Sequence, residues 1–311
     1  MFKHLENKVV IISGSGGGAD LFGGLPLYFE IIKTAKKVIL ANFSFTDEQS
    51  CEVSAEQKCA KKFNKYLYKI HKYEDHEGIS KKCFPEARLA SCLSHDVYAI
   101  LIHDTLTVKD IEICYLDIIK EEGDVDYIYL VDGGIDVLLT GNEKGLGTPV
   151  EDMMHLKAVN LLDIKEKYVM AVGVDIDIAH GVHLDDLETR LKQLEPIKIL
   201  EWKWDLKQSS VAKYKEIVSI CQPVNTIVQS LIVASLDGHV GNYTPDHLKV
   251  RIDKNIIPLN SRICTAFVYP LLNIANDVIY LDKIKMDMNT DQVDDLISEI
   301  HPEIDDIANI V

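Results

Sequence analysis

Positive charge is the scarce property of this sequence. Lys and Arg number 33 against 49 Asp and Glu, a formal net charge of -16. Binding to a phosphate backbone needs a basic stripe that releases counterions, and none is present, so nucleic acid is not an expected partner. An anionic membrane surface would repel the same charge. No apolar run is long enough to span a bilayer. The opening residues are polar, and the run Val9, Val10, Ile11, Ile12 is too short for the apolar part of a secretion signal. The 7 cysteines are odd in number and form no CxxC pair, which argues against a disulfide framework and a cysteine zinc site. Reduced thiols in a cytoplasmic protein are the expectation. Fixed-period repeats and low-complexity linkers are also missing.

What is present is an alternation of apolar runs with helical patterns. Strand-like runs begin at Val9, Lys37, Val97, Tyr127 and Tyr168, with a sixth at Ile197. Continuous apolar runs suit strands covered on both faces, as in a parallel sheet. Between them, Leu21, Leu25, Phe29 and Ile32 share one helical face, with Pro26 tolerated near its start. Ile111, Cys114, Tyr115 and Ile118 mark another helix. Thr148, Pro149, Val150 and Glu151 read as a capping box. Leu184, Leu187, Leu191 and Leu194 give a further helix. The pattern predicts an α/β fold with a doubly wound, mostly parallel, Rossmann-like sheet over residues 1–208.

Two segments break the rhythm. Residues 46–96 read as a crossover insert with a helix around 60–72. Residues 209–311 read as a mixed α/β portion packed on the same core. In that portion, 211–220 and 224–235 look helical, and 238–242 looks like a turn. Residues 278–281 look like a strand, and 290–300 like a helix capped by Thr290.

Ligands of a doubly wound sheet bind outside the carboxyl ends of its strands. Each such end here is Gly-rich or polar. The first run leads into Ser13, Gly14, Ser15, Gly16, Gly17, Gly18 and, beyond Ala19, Asp20. Such a loop can leave several amides free to bind an anion, most simply phosphate. The alternative is a tight turn whose glycines supply positive φ and close packing. The loop is no dinucleotide fingerprint, because Asn42 and Ser44 follow the second strand where an acid belongs. It is no Walker A loop, because no Lys-Ser/Thr pair follows. It resembles the Ser-Gly-Gly-x-Asp-Ser loop of ATP pyrophosphatases, with one extra glycine and Leu21 in place of the serine.

The fourth run ends in Asp132, Gly133, Gly134, Ile135 and Asp136, acids that serve either a site or an Asx turn. The long glycine-rich loop with Asn142 and Glu143 follows. After the fifth run come Asp175, Asp177, His180 and His183. Carboxylates with imidazole suit acid–base work, and Asp175 with Asp177 suits a divalent metal. The alternative is a helix start decorated with acids. His239 is a more remote candidate, and His4, His71, His76, His247 and His301 read as surface residues.

At these residues the chain resembles an uncharacterised prokaryotic family, domain of unknown function 1152. The resemblance runs through residues 13–20, 83–89, 131–136, 141–143, 147–152, 173–175, 180–181 and 234–241. Cys83 stands where the family has an aromatic, and the insert at 46–80 is atypical. The resemblance implies a nucleotide-binding-like α/β fold and supplies no reaction. It adds Glu86 to the candidate site.

Three functional classes fit these readings. The favoured one is an enzyme, a hydrolase or group transferase, acting on a phosphorylated or nucleotide-like small molecule. Ser13 through Gly18, Asp20, Asn42, Gly133, Gly134, Asn142, Glu143 and Glu86 would bind the ligand. Asp132, Asp136, Asp175 and His180 would be catalytic, and Mg²⁺ or another divalent metal is the candidate cofactor. No Gly-x-Ser-x-Gly elbow follows a strand, which counts against serine hydrolysis. The second class is a non-catalytic nucleotide-binding regulatory module. The third is an interaction protein using its acidic face. A homodimer is the default assembly.

Overall fold

The computed structural model describes residues 1–72, 84–221, 226–250, 252 and 257–301. His76, Cys83 and Val224 lie outside the described residues, as does the end of the 46–80 insert.

Eleven strands are described, in chain order β1 (Val9–Gly14), β2 (Lys37–Ser44), β3 (Ala60–Lys62), β4 (Leu67–Ile70), β5 (Val97–Leu101), β6 (Tyr127–Asp132), β7 (Glu166–Val172), β8 (Leu200–Lys203), β9 (Gly241–Asn242), β10 (Pro258–Leu259) and β11 (Thr265–Pro270). Strands β9 and β10 form a small antiparallel pair. The other nine make one sheet in the order β3-β4-β5-β2-β1-β6-β7-β11-β8. Its five central strands run parallel. The strands outside them pair antiparallel. The fold class expected from the apolar runs is therefore the one observed. The parallel core is a Rossmann-type order, and its winding reverses between β1 and β6.

The helices are α1 (Asp20–Gly23), α2 (Leu25–Ile31), α3 (Glu48–Glu56), α4 (Pro85–Leu93), α5 (Val108–Glu122), α6 (Val150–Asn160), α7 (Leu184–Leu194), α8 (Ser209–Ile220), α9 (Ile227–Leu236), α10 (Leu271–Asp277) and α11 (Thr290–Ile300). Each sheet face carries its own apolar core. Val10 and Ile12 of β1 pack on one face with α1, α2, α4, α8 and α9. Val9 and Ile11 pack on the other with α5, α6, α7, α10 and α11. The alternation is the period-two geometry of a strand buried on both sides. Among the described residues, no helix is long and apolar enough to cross a membrane.

Four local readings change. The helix expected around 60–72 is the hairpin β3–β4. Asn64 makes its turn, its side-chain oxygen accepting from the amides of Tyr66 (2.8 Å) and Leu67 (2.9 Å). β4 then pairs with β5, Leu67 opposite Ile100, so tertiary pairing overrides a weak helical pattern. The strand expected at 278–281 is absent: those residues follow α10 and lead into a 3-10 turn at Leu281–Lys283. The strand lies earlier, in β11, where Thr265, Phe267, Val268 and Tyr269 suit a pleated sheet. The single helix expected from Leu21 to Ile32 divides at Gly24 into α1 and α2. Helix α11 is capped by Asn289, whose side chain accepts from the Gln292 amide at 3.0 Å, rather than by Thr290.

Candidate functional site

The crevice at a winding reversal opens between the strands that diverge there. Here these are β1, ending at Gly14, and β6, ending at Asp132. Ser13 faces away, its hydroxyl hydrogen-bonded to the Tyr115 hydroxyl at 2.7 Å under α5. Ser15 turns toward α6 and donates to Asp152 Oδ1 at 2.7 Å. Asp20, at the start of α1, reaches back to accept from the Gly16 amide at 2.9 Å. Asp136 Oδ2 accepts from the Thr148 amide (3.1 Å) and hydroxyl (3.3 Å), and its Oδ1 accepts from the Val137 amide at 3.0 Å. Thr148 therefore orients Asp136 and does not cap α6. Pro149 holds the cap position, with no side-chain cap.

These bonds bring acids together. One oxygen each from Asp132, Asp136 and Asp152 lies within 4.8 Å of the others. All three residues and Asp20 are buried. Asp132 Oδ2 has no hydrogen-bond partner. Burial, then the neighbouring acids, pushes the carboxyls of Asp20, Asp132 and Asp152 well above the ordinary aspartate range. Burial and the charge of Asp177 raise Asp136 to about 7. Without a cation, such a group is held by sharing protons.

The glycines explain how carboxylates and backbone come so close. A methyl on Gly16 would stand 2.6 Å from Asp152 Oδ2 and 2.8 Å from Asp20 Oδ2. A methyl on Gly134 would stand 2.0 Å from Asp177 Oδ2. Gly17 has φ +91°, where glycine is favoured, and packs under the Phe45 ring. The loop thus turns at least one amide inward, onto its own acid.

Asn42 clamps this loop from β2. Its amide nitrogen donates to Gly18 O at 2.8 Å and to Glu86 Oε1 at 2.6 Å. Glu86 also accepts from Thr46 Oγ1 at 3.1 Å. Burial raises the Glu86 carboxyl above its ordinary value.

The acids after β7 separate. Asp177 Oδ2 accepts from the amides of Ile135 (2.6 Å) and Asp136 (3.3 Å), closing the Gly133–Gly134 bend. Its Oδ1 lies 3.1 Å from His180 Nδ1. Asp175 instead takes Arg262 through Nε at 2.8 Å and Nη2 at 2.7 Å, and Asn260 Nδ2 at 2.5 Å. The two acids read as a metal pair thus serve different partners, and Asp175 is committed to an ion pair. The candidate cation cluster lies on Asp132, Asp136 and Asp152.

Glu143 folds its own loop, accepting from the amides of Thr140 (3.0 Å), Gly141 (2.9 Å) and Asn142 (3.0 Å), while Asn142 is exposed. His239 stacks on Tyr243 with ring centroids 3.7 Å apart. His183 occupies the N-cap position of α7.

Sequence reasoning missed Asp152 and His155. Asp152 sits in the first turn of α6, where an acid is ordinarily credited to the helix dipole. His155 follows one turn later, buried against Phe43 and Tyr115 with ring centroids 4.5 and 5.6 Å away. Burial pushes it down to about 3, so its imidazole is neutral. The available signal for both was the loop from Gly141 to Pro149, which delivers α6 to the crevice.

A family model described as "Protein of unknown function (DUF1152)" matches residues 11–302. Comparison with curated proteins and with solved structures finds no match. The chain belongs to the DUF1152 family.

Proposed function

We propose that the chain is a divalent-cation-dependent hydrolase or group transferase that acts on a phosphorylated or nucleotide-like small molecule between β1 and β6. One observation carries this reading: one oxygen from each of three buried carboxylates lies within 4.8 Å of the others, and Asp132 Oδ2 makes no hydrogen bond. An anion would be repelled by those acids alone. A hard divalent cation takes oxygen ligands from carboxylates and phosphate together. Asp132, Asp136 and Asp152 would hold that cation, which supplies Lewis-acid polarisation of a phosphoryl oxygen.

The chain's own groups have readable parts in this scheme. Ser15 fixes Asp152, Thr148 fixes Asp136, and Gly16 leaves room for both Asp20 and Asp152. Asp177 orients the His180 ring through Nδ1, as a proton-transfer imidazole requires.

A thermal-shift panel tests the reading. Mg²⁺, Mn²⁺ and Zn²⁺ are each added with and without nucleotides and sugar phosphates. A cation should raise the melting temperature by mass action, and a phosphorylated ligand should raise it further only when that cation is present. Asp132→Asn should abolish the cation response. A flat cation panel sinks the proposal. A stabilising ligand that is never turned over would favour the regulatory-module reading instead.

A further inference from the structure

We propose that Cys92 and Cys221 are a peroxide-oxidised thiol pair, a modification site whose disulfide joins α4 to α8. Their sulfurs lie 3.7 Å apart although 129 positions separate them in the chain. Cys92 is exposed and Cys221 is buried. A disulfide needs the sulfurs to close from 3.7 Å to about 2.0 Å, between Cys92 on α4 and Cys221 at the C-cap of α8. Among the described residues no other pair of cysteines makes a sulfur-to-sulfur contact.

The environments divide the roles. The exposed Cys92 can meet a solution oxidant. Burial holds the Cys221 thiol protonated, so it waits as the resolving group. Arg88 lies one helical turn before Cys92 on α4, and its charge acts on Cys221 in the direction that favours thiolate.

The chemistry balances with a hydroperoxide as oxidant. The Cys92 thiolate attacks the peroxide; an S–O bond forms, the O–O bond breaks, and the leaving oxygen takes a proton to depart as water or alcohol. Cys92 becomes a sulfenic acid. Cys221 loses its proton and attacks that sulfur; the S–S bond forms, the S–O bond breaks, and the hydroxyl leaves with the proton as water. The sulfurs together lose two electrons to the peroxide, and a dithiol reductant returns them.

Both helices connect to the glycine-rich loop through hydrogen-bond chains. Glu86, in the first turn of helix α4, accepts from Asn42, which also donates to Gly18 O. Helix α8 carries Tyr214, which donates to Gln229, which in turn donates to Ala19 O at 3.3 Å. A crosslink between α4 and α8 therefore braces the loop from two sides. This inference stands apart from the cation reading.

The test uses the full chain treated with hydrogen peroxide. Intact mass should fall by the two thiol hydrogens, the peptide map should show Cys92 joined to Cys221, and a dithiol should reverse both. Oxidation should raise the wild-type melting temperature. Cys221→Ser should show no such rise and should accumulate Cys92 sulfenic acid, captured by a 1,3-dione probe. Cys92→Ser should leave Cys221 unmodified. A linkage through a different cysteine, or Cys92 passing to sulfinic acid as readily in wild type as in Cys221→Ser, overturns the proposal. So does full retention of both thiols in wild type under conditions that oxidise Cys92 in Cys221→Ser.

Discussion

Asp132→Asn should make the cation-free protein more stable, not less. Asp132, Asp136 and Asp152 present oxygens within 4.8 Å of one another. At that separation and an effective dielectric of about 20, two ionised carboxylates repel by about 3 kcal/mol. Asparagine has the same shape, carries no charge, and offers an N–H that a neighbouring carboxylate can accept. The gain is largest in a chelator above about pH 7, where Asp136 gives up its proton. Unfolding entropy of about 2.1 cal/mol/K per residue makes a gain of ~3 kcal/mol worth roughly 5 °C in a chain of 311 residues. Differential scanning calorimetry of both proteins, with and without Mg²⁺ or Mn²⁺, reads the effect. The variant should melt higher in chelator, and a saturating cation should narrow or reverse the difference by stabilising wild type alone. A variant that melts below wild type in chelator refutes the reasoning. It would show that Asp132 already has a favourable partner in the fold.

The pH dependence of stability follows from the same acids. Asp136 sits at about 7 in the fold against 3.8 ordinarily, a difference of about 4 kcal/mol. Its folded carboxyl keeps a proton that the unfolded chain releases, so this contribution is present below 3.8 and lost as pH rises through about 7. Urea unfolding in chelator should show cation-free wild type losing stability across that window and Asp136→Asn losing less; equal slopes would contradict it. Gly134→Ala puts a methyl 2.0 Å from Asp177 Oδ2 and should cost about 1–3 kcal/mol in a denaturant titration, unless the bend opens freely and the cost vanishes. Arg262→Met leaves buried Asp175 without its cation, with only Asn260 still donating to it, which should cost about 3–5 kcal/mol. Adding Asp175→Asn should recover part of that loss, and a double variant no better than the single one would show that the ion pair is not the source.

Legibility in the sequence followed the physics of each element. Central strands such as β1 and β6 are covered on both faces, so they read as unbroken apolar runs. Asp132 and Asp136 were visible because each stands where a strand has just ended. Asp152 was not, because an acid in the first turn of a helix has the same pattern whether it serves the dipole or a site. Asp175 and Asp177 looked alike for a related reason. Spacing cannot reveal that Arg262, 87 positions away, returns to one of them and not the other. The β3–β4 hairpin was hidden because its pairing partner is β5, beyond the insert. Thr148 was misread because its hydroxyl had two plausible uses, a local cap and a distant carboxylate.

The contrast between Asp175 and Asp132 bears most directly on function. Both are buried acids at or just beyond the ends of neighbouring parallel strands. The fold gives Asp175 an arginine, whose Nε and Nη2 both reach Oδ1, and an asparagine on Oδ2, the arrangement that lets a carboxylate stay ionised in a low dielectric. Among the described residues, no Lys or Arg forms an ion pair with Asp20, Asp132, Asp136 or Asp152. The fold therefore can neutralise a buried acid and does so on one side of the crevice, while leaving four uncompensated on the other. Such clustering costs stability, as the raised carboxyls record. A stability role for the cluster is thus the weakest account of it. The proposed cation role accounts for both the convergence and, among the described residues, the absence of a Lys or Arg partner.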